Sequence, residues 1–184
     1  MRRRQERRAQ RRQERQTFGR RGKATRYRMR EKLVSIGDDF WIEDDQGEKV
    51  FKVDGKALRI RSTLRFLDRQ GNLLCQIQER KVRIKETMEI EGPDGRRMAV
   101  IQKAMITPVR DRFTVRVEEG SDLDVKGNIV DHEYTFEADG RKVAQVSKRW
   151  FRVRDTYGVE IEPGQNDILI LAATVAIDQM TGLR

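Results

Sequence analysis

Four pairs of basic residues recur along the chain, each pair separated by one residue: Arg59 and Arg61, Arg83 and Lys85, Arg110 and Arg112, Arg152 and Arg154. On a β-strand this spacing puts both members of a pair on one face, while the intervening Ile60, Ile84 and Val153 point to the other. The pairs are therefore expected to face outward. If their strand ends gather at one rim of a closed sheet, they form a cationic patch suited to phosphate groups. The competing expectation is that they are ordinary exterior residues, neutralised by Asp111, Asp155, Glu86 and similar neighbours. A second basic feature is the run that holds Arg2, Arg3, Arg4, Arg7, Arg8, Arg11 and Arg12. Arginine forks bind phosphates and gain from counterion release, so RNA, DNA and anionic lipid are all chemically suitable partners for it.

Other chemistry finds little support. The sole histidine, His132, and the sole cysteine, Cys75, cannot build a zinc site of the usual His and Cys type, and a structural role is expected for His132. The chain has no G-x-S-x-G, no P-loop and no G-x-G-x-x-G. Asp38 with Asp39 and Asp44 with Asp45 are acidic pairs, but both flank expected turns, where Asp is favoured locally. For Trp41, Trp150 and Phe151 core packing is the default expectation. The sequence thus predicts no catalytic residue, no metal site and no cofactor.

Charge is unevenly distributed. Residues 1–24 contain ten Arg and one Lys against two Glu, a net charge of +9 out of the total of +10. That segment is too poor in apolar residues to offset the entropy of ordering it, and it is expected to be a disordered, solvated tail. Residues 25–184 are expected to form one domain. A single cysteine rules out an internal disulfide framework and fits a reducing compartment. No apolar stretch follows the N-terminal arginines, as a secretory signal would require. These features predict a cytoplasmic protein, peripheral to a membrane if it binds lipid.

The elements that would position the basic pairs come from an internal repeat. Glycines recur in turn-like contexts at Gly47, Gly71, Gly95, Gly120 and Gly140, where tight hairpins need a positive φ. Alternating apolar and polar residues flank each one, as in "FWIED" before Gly47 and "KVFKV" after it. One strand into and one out of each turn gives twelve antiparallel strands in meander order, near 28–35, 39–43, 48–60, 62–67, 73–85, 86–91, 97–107, 112–118, 122–130, 132–137, 141–153 and 156–161.

The most apolar passage, "NDILILAATVAIDQM" at 166–180, reads as a helix capped by Asn166 or Asp167 and ended by Gly182. Fourteen helical residues span about 21 Å, short of the roughly 30 Å core of a bilayer. A helix apolar on all sides must instead be surrounded by protein. A sheet can do this only by closing, and about eleven strands suffice to enclose a helix. The fold class expected is therefore mainly β: a closed antiparallel barrel around a C-terminal helix, with Ile168, Leu169, Leu171, Val175 and Ile177 meeting the wall.

The stretches "MREKLVSIGDDFWIEDDQGEKVFKVDGKALRIR" (29–61) and "KRWFRVRDTYGVEIEPGQNDILILAATVAIDQM" (148–180) resemble the LURP-one-related family of the tubby C-terminal-like barrels. More distantly, "DTYGVEI" followed by "ILAATVAIDQM" is similar to the end of phospholipid scramblases. The resemblance implies a twelve-stranded barrel around a central helix. It implies no catalytic residue set, and no lipid-contact residue carries over from tubby domains, which bind phosphoinositide head groups. The expected function is a non-enzymatic barrel that binds anionic ligands such as phospholipid head groups. A nucleic-acid-associated protein acting through its arginine tail and a small-molecule-binding barrel are the alternatives.

Overall fold

In the computed structural model, residues 23–30, 39–55, 63–82, 85–104, 112–150 and 156–182 are described. Among the described residues twelve strands precede one helix: β1 (Thr25–Arg30), β2 (Phe40–Asp44), β3 (Lys49–Asp54), β4 (Thr63–Asp68), β5 (Leu73–Val82), β6 (Lys85–Glu91), β7 (Arg97–Ala104), β8 (Arg112–Val117), β9 (Leu123–Asn128), β10 (Glu133–Ala138), β11 (Arg141–Ser147), β12 (Thr156–Ile161) and α1 (Asp167–Gly182). Each strand pairs antiparallel with its sequence neighbours, and β1 pairs with β12 from Thr25↔Ile161 to Arg30↔Thr156, which closes the barrel.

Because the strands alternate in direction, the connections fall at two ends. At one end lie five hairpin turns and the β12–α1 turn, with Gly47, Gly71, Gly95, Gly120, Gly140 and Gly164 all at positive φ, between 74° and 130°. The five glycines read as turn residues in the sequence are therefore used as such. Asp44 and Asp68 hold equivalent turns: each accepts backbone N–H groups two and four residues on, at 2.8–2.9 Å. In four hairpins the register slips by one residue just before this end, after the inward-facing Ile42, Phe66, Ile90 and Phe136. Bulges at repeated positions sharpen the strand twist, which helps the sheet to curl shut.

Inward residues alternate with outward ones, as in β12, where Tyr157, Val159 and Ile161 join the core, and β8, where Phe113 and Val115 do so between Arg112, Thr114 and Arg116. Helix α1 fills the interior. Its consecutive residues 169–177 are all buried, so no face of these turns meets solvent. Sixteen residues give about 24 Å of helix, close to the ~20 Å of a six-residue strand, so α1 matches the barrel's height. Fully buried Ala172, Ala173 and Ala176 let the wall approach the helix closely. Thr174 is also fully buried, and its hydroxyl donates to the Ile170 carbonyl at 2.9 Å. Among the described residues no helix is long and apolar enough to cross a membrane.

Several boundaries differ from those read in the sequence. The first strand starts at Thr25 rather than near 28, because its partner β12 continues to Ile161. Asn166 is the helix cap, accepting the Leu169 N–H at 3.1 Å, and α1 runs to Gly182 rather than 180. Ile129 and Val130 leave β9 to form a turn with Asp131 and His132. His132, expected to open a strand, sits in that turn at φ 52°.

Candidate functional site

Of the eight residues in the expected basic patch, Arg59, Arg61, Arg83, Arg110, Arg152 and Arg154 lie outside the described residues, as do Arg2, Arg3, Arg4, Arg7, Arg8, Arg11 and Arg12 of the tail. Lys85 and Arg112 are described as the first residues of β6 and β8, at the barrel end opposite the glycine turns. Thr87 and Thr114 both pair with Gln102 of β7, so Lys85 and Arg112 start at the same height two strands apart. Two inter-strand steps separate them, about 10 Å. Arg112 is exposed and lies on the outer face, as its alternation with Phe113 requires.

The outer face is otherwise a mosaic of opposite charges. Arg26 pairs with Glu160 and Arg28 with Glu43, both at 2.6 Å, while Lys52 reaches Asp39 and Lys126 reaches Glu137 at 2.7 Å. Glu89, only 6 % exposed, is held between Arg80 and Arg97, which also contact Glu91 and Glu118 respectively. Neutralisation by neighbours, the alternative considered for the basic pairs, therefore describes these cations. Arg112 and Arg116 differ, since both are exposed and neither enters an ion pair among the described residues. The tryptophans correct the expectation of core packing. Trp41 and Trp150 are half-buried, with Lys49 over one ring at 5.5 Å and Arg26 over the other at 5.4 Å. Phe151 lies outside the described residues.

A second constellation, internal and polar, surrounds α1. At the glycine-turn end, the Tyr27 hydroxyl of β1 donates to Asp167 Oδ2 at 2.6 Å. At the other end, the Tyr157 hydroxyl of β12 donates to Asp178 Oδ2 at 2.5 Å, and His132 Nε2 lies 3.2 Å from Asp178 Oδ1. The rings of His132 and Tyr157 stack at 4.3 Å. Asp167 and Asp178 are eleven residues apart, three helical turns, so they share the helix face that meets the β1–β12 seam. Burial raises the Asp167 carboxyl to about 6 against the lowering effect of the Tyr27 hydrogen bond. The Tyr134 hydroxyl is pushed well above its usual range, first by burial and then by the charge of Asp178.

Sequence reasoning assigned none of these anchors except the structural role of His132, which agrees with its burial. The available signal was the spacing of two aspartates in an otherwise apolar helix. Chemically, the arrangement holds the helix by polar contacts at both ends. Among the described residues no group of three His, Cys, Asp or Glu side chains converges to hold a metal. Cys75 is fully buried, and burial pushes its thiol up to about 12, so it is no nucleophile in the folded barrel.

Comparison with known proteins places this architecture among relatives. The sequence profile of the LURP-one-related family matches residues 25–178. The uncharacterised protein YxjI of Bacillus subtilis (strain 168) is 24% identical over 153 residues, which cover 83% of this chain and 91% of that protein. An X-ray structure of an Arabidopsis thaliana protein superposes with a TM-score of 0.60 at 16% identity, covering 86% of this chain and 92% of that one. At that identity the likeness is one of fold.

Proposed function

The chain belongs to the LURP-one-related family, and on that premise we propose that it is a non-enzymatic barrel that binds anionic ligands, phospholipid head groups at a membrane surface foremost. One observation carries this reading: charge is partitioned between the barrel and the residues before it. Of the net charge of +10, residues 1–24 hold +9, whereas most described cations of the outer wall have an acidic partner within 4 Å. A polyanion therefore gains most from the arginine-rich segment, and the barrel serves as its folded support. Arg112 and Arg116 offer a smaller contribution from the wall, both without an acidic partner among the described residues.

Flotation with vesicles of phosphatidylcholine, with and without phosphatidylserine, tests the reading, using the full chain and a chain beginning at Thr25. The full chain is expected to float only with the anionic vesicles and to be released by raised salt, as counterion release requires. Shortening the chain to Thr25 should remove most of the binding. Replacing Arg59, Arg61, Arg152 and Arg154 together in the shortened chain measures what the barrel adds. Failure of the full chain to float, with tight and salt-sensitive gel shifts of RNA or DNA, would replace lipid by nucleic acid as the partner.

A further inference from the structure

The contact between Tyr27 and Asp167 has the geometry of a switch. Asp167 is the first residue of α1, is 3 % exposed, and takes one hydrogen bond on Oδ2, while Oδ1 has no hydrogen-bond partner. Its hydroxyl donor sits on β1, the strand whose pairing with β12 closes the barrel. None of the described ion pairs includes Asp167. The nearby carboxylates are engaged elsewhere, Glu160 of β12 with Arg26 and Glu162 of the β12–α1 turn with Lys142. Among the described residues Tyr27 is the one titratable group hydrogen-bonded to it. On its own element, Asn166 caps the first turn, and the N-terminal end of the helix dipole offsets only part of a buried negative charge.

A neutral carboxyl fits this site with one oxygen unbonded at modest cost, whereas a carboxylate leaves a charge in apolar surroundings with half its acceptor capacity unused. We propose that Asp167 is a proton-operated latch: neutral, it lets the first turn of α1 seat against β1, and ionised, it puts into that contact a buried charge that the Tyr27 hydrogen bond offsets only in part, which loosens that end of the barrel. The same end carries the glycine turns and the start of β1, so loosening acts where the chain enters the barrel. Asp178, at the other end of α1, shares an Oδ1 without a hydrogen bond but has the His132 ring 3.2 Å from it, a second titratable neighbour that Asp167 lacks among the described residues.

The sign follows from the direction of the shift. A carboxyl raised from 3.8 to about 6 by burial contributes stability below pH 3.8 that is lost as pH rises through 6. Between pH 5 and pH 7.5 this amounts to a change of about tenfold in the opening equilibrium. The test is native-state amide exchange at Leu169, Ile170 and Leu171 in the full chain and in Asp167→Asn, which keeps an oxygen for Tyr27 but cannot ionise. The ratio of opening constants at these amides, wild type over variant, should rise about tenfold from pH 5 to pH 7.5. Tyr27→Phe removes the bond that favours the ionised form, so its pH dependence should be steeper than that of wild type. A ratio that stays flat or falls with pH, or a Tyr27→Phe profile no steeper than wild type should Asp167→Asn not fold, overturns the latch.

Discussion

The Tyr157 hydroxyl donates to Asp178 Oδ2 at 2.5 Å while the His132 ring stacks on the same tyrosine and reaches the second carboxylate oxygen at 3.2 Å. This joins the turn after β9, the strand β12 and the last turns of α1 through one side chain. Replacing Asp178 by Ala leaves a buried phenol without this acceptor, and a lost bond to a charged group costs about 1.5–3 kcal/mol. Asp178→Asn retains an oxygen for Tyr157 and should cost less, about 1 kcal/mol. Urea unfolding of the two variants at neutral pH checks both the magnitude and the order.

Two glycines separate backbone strain from steric collision. Gly127 has φ 136°, and a Cβ there would stand 2.5 Å from the Glu133 carbonyl oxygen and 2.7 Å from the Tyr134 Cα, both backbone atoms of the paired strand β10. Gly71, at φ 86°, has nothing within 4 Å of such a Cβ. Gly71→Ala should therefore cost about 1–2 kcal/mol from conformation alone, whereas Gly127→Ala must also push two strands apart. Thermal unfolding should show a clearly larger loss for Gly127→Ala.

The single thiol reports on the wall. Cys75 faces the interior from β5, is fully buried, and has its thiol pushed up to about 12 by burial. A maleimide at neutral pH should leave the native protein unlabelled over the time in which the urea-unfolded chain is fully modified. Fast labelling under native conditions would mean that this part of the barrel opens readily.

The sequence displays the barrel more clearly than its polar anchors. Gly47, Gly71, Gly95, Gly120 and Gly140 carry a local requirement, positive φ, that the residue type itself announces, and strand alternation flanks them. The helix is legible because an uninterrupted apolar run has few other places to go. The pairing of Tyr27 with Asp167 spans 140 residues, and that of Tyr157 with Asp178 spans 21. Such contacts depend on which strands close the barrel, and no local pattern encodes them. Trp41 and Trp150 misled because an aromatic ring can be sheltered by the stem of a lysine or arginine on the outer face as well as by a core. The bulges after Ile42, Phe66, Ile90 and Phe136 leave no mark in residue type, since each sits between ordinary strand residues.

Native-state hydrogen exchange of the amides of Ala173 to Ile177, beyond the first turn of α1, compared with the free energy of urea unfolding, tests the enclosure of α1 most directly. A helix wrapped on every side by the barrel can expose these amides only when the whole structure unfolds, so their opening free energies should equal the global value. Exchange of this segment through openings several kcal/mol cheaper than global unfolding would mean that α1 leaves the barrel on its own, and would contradict its role as the core.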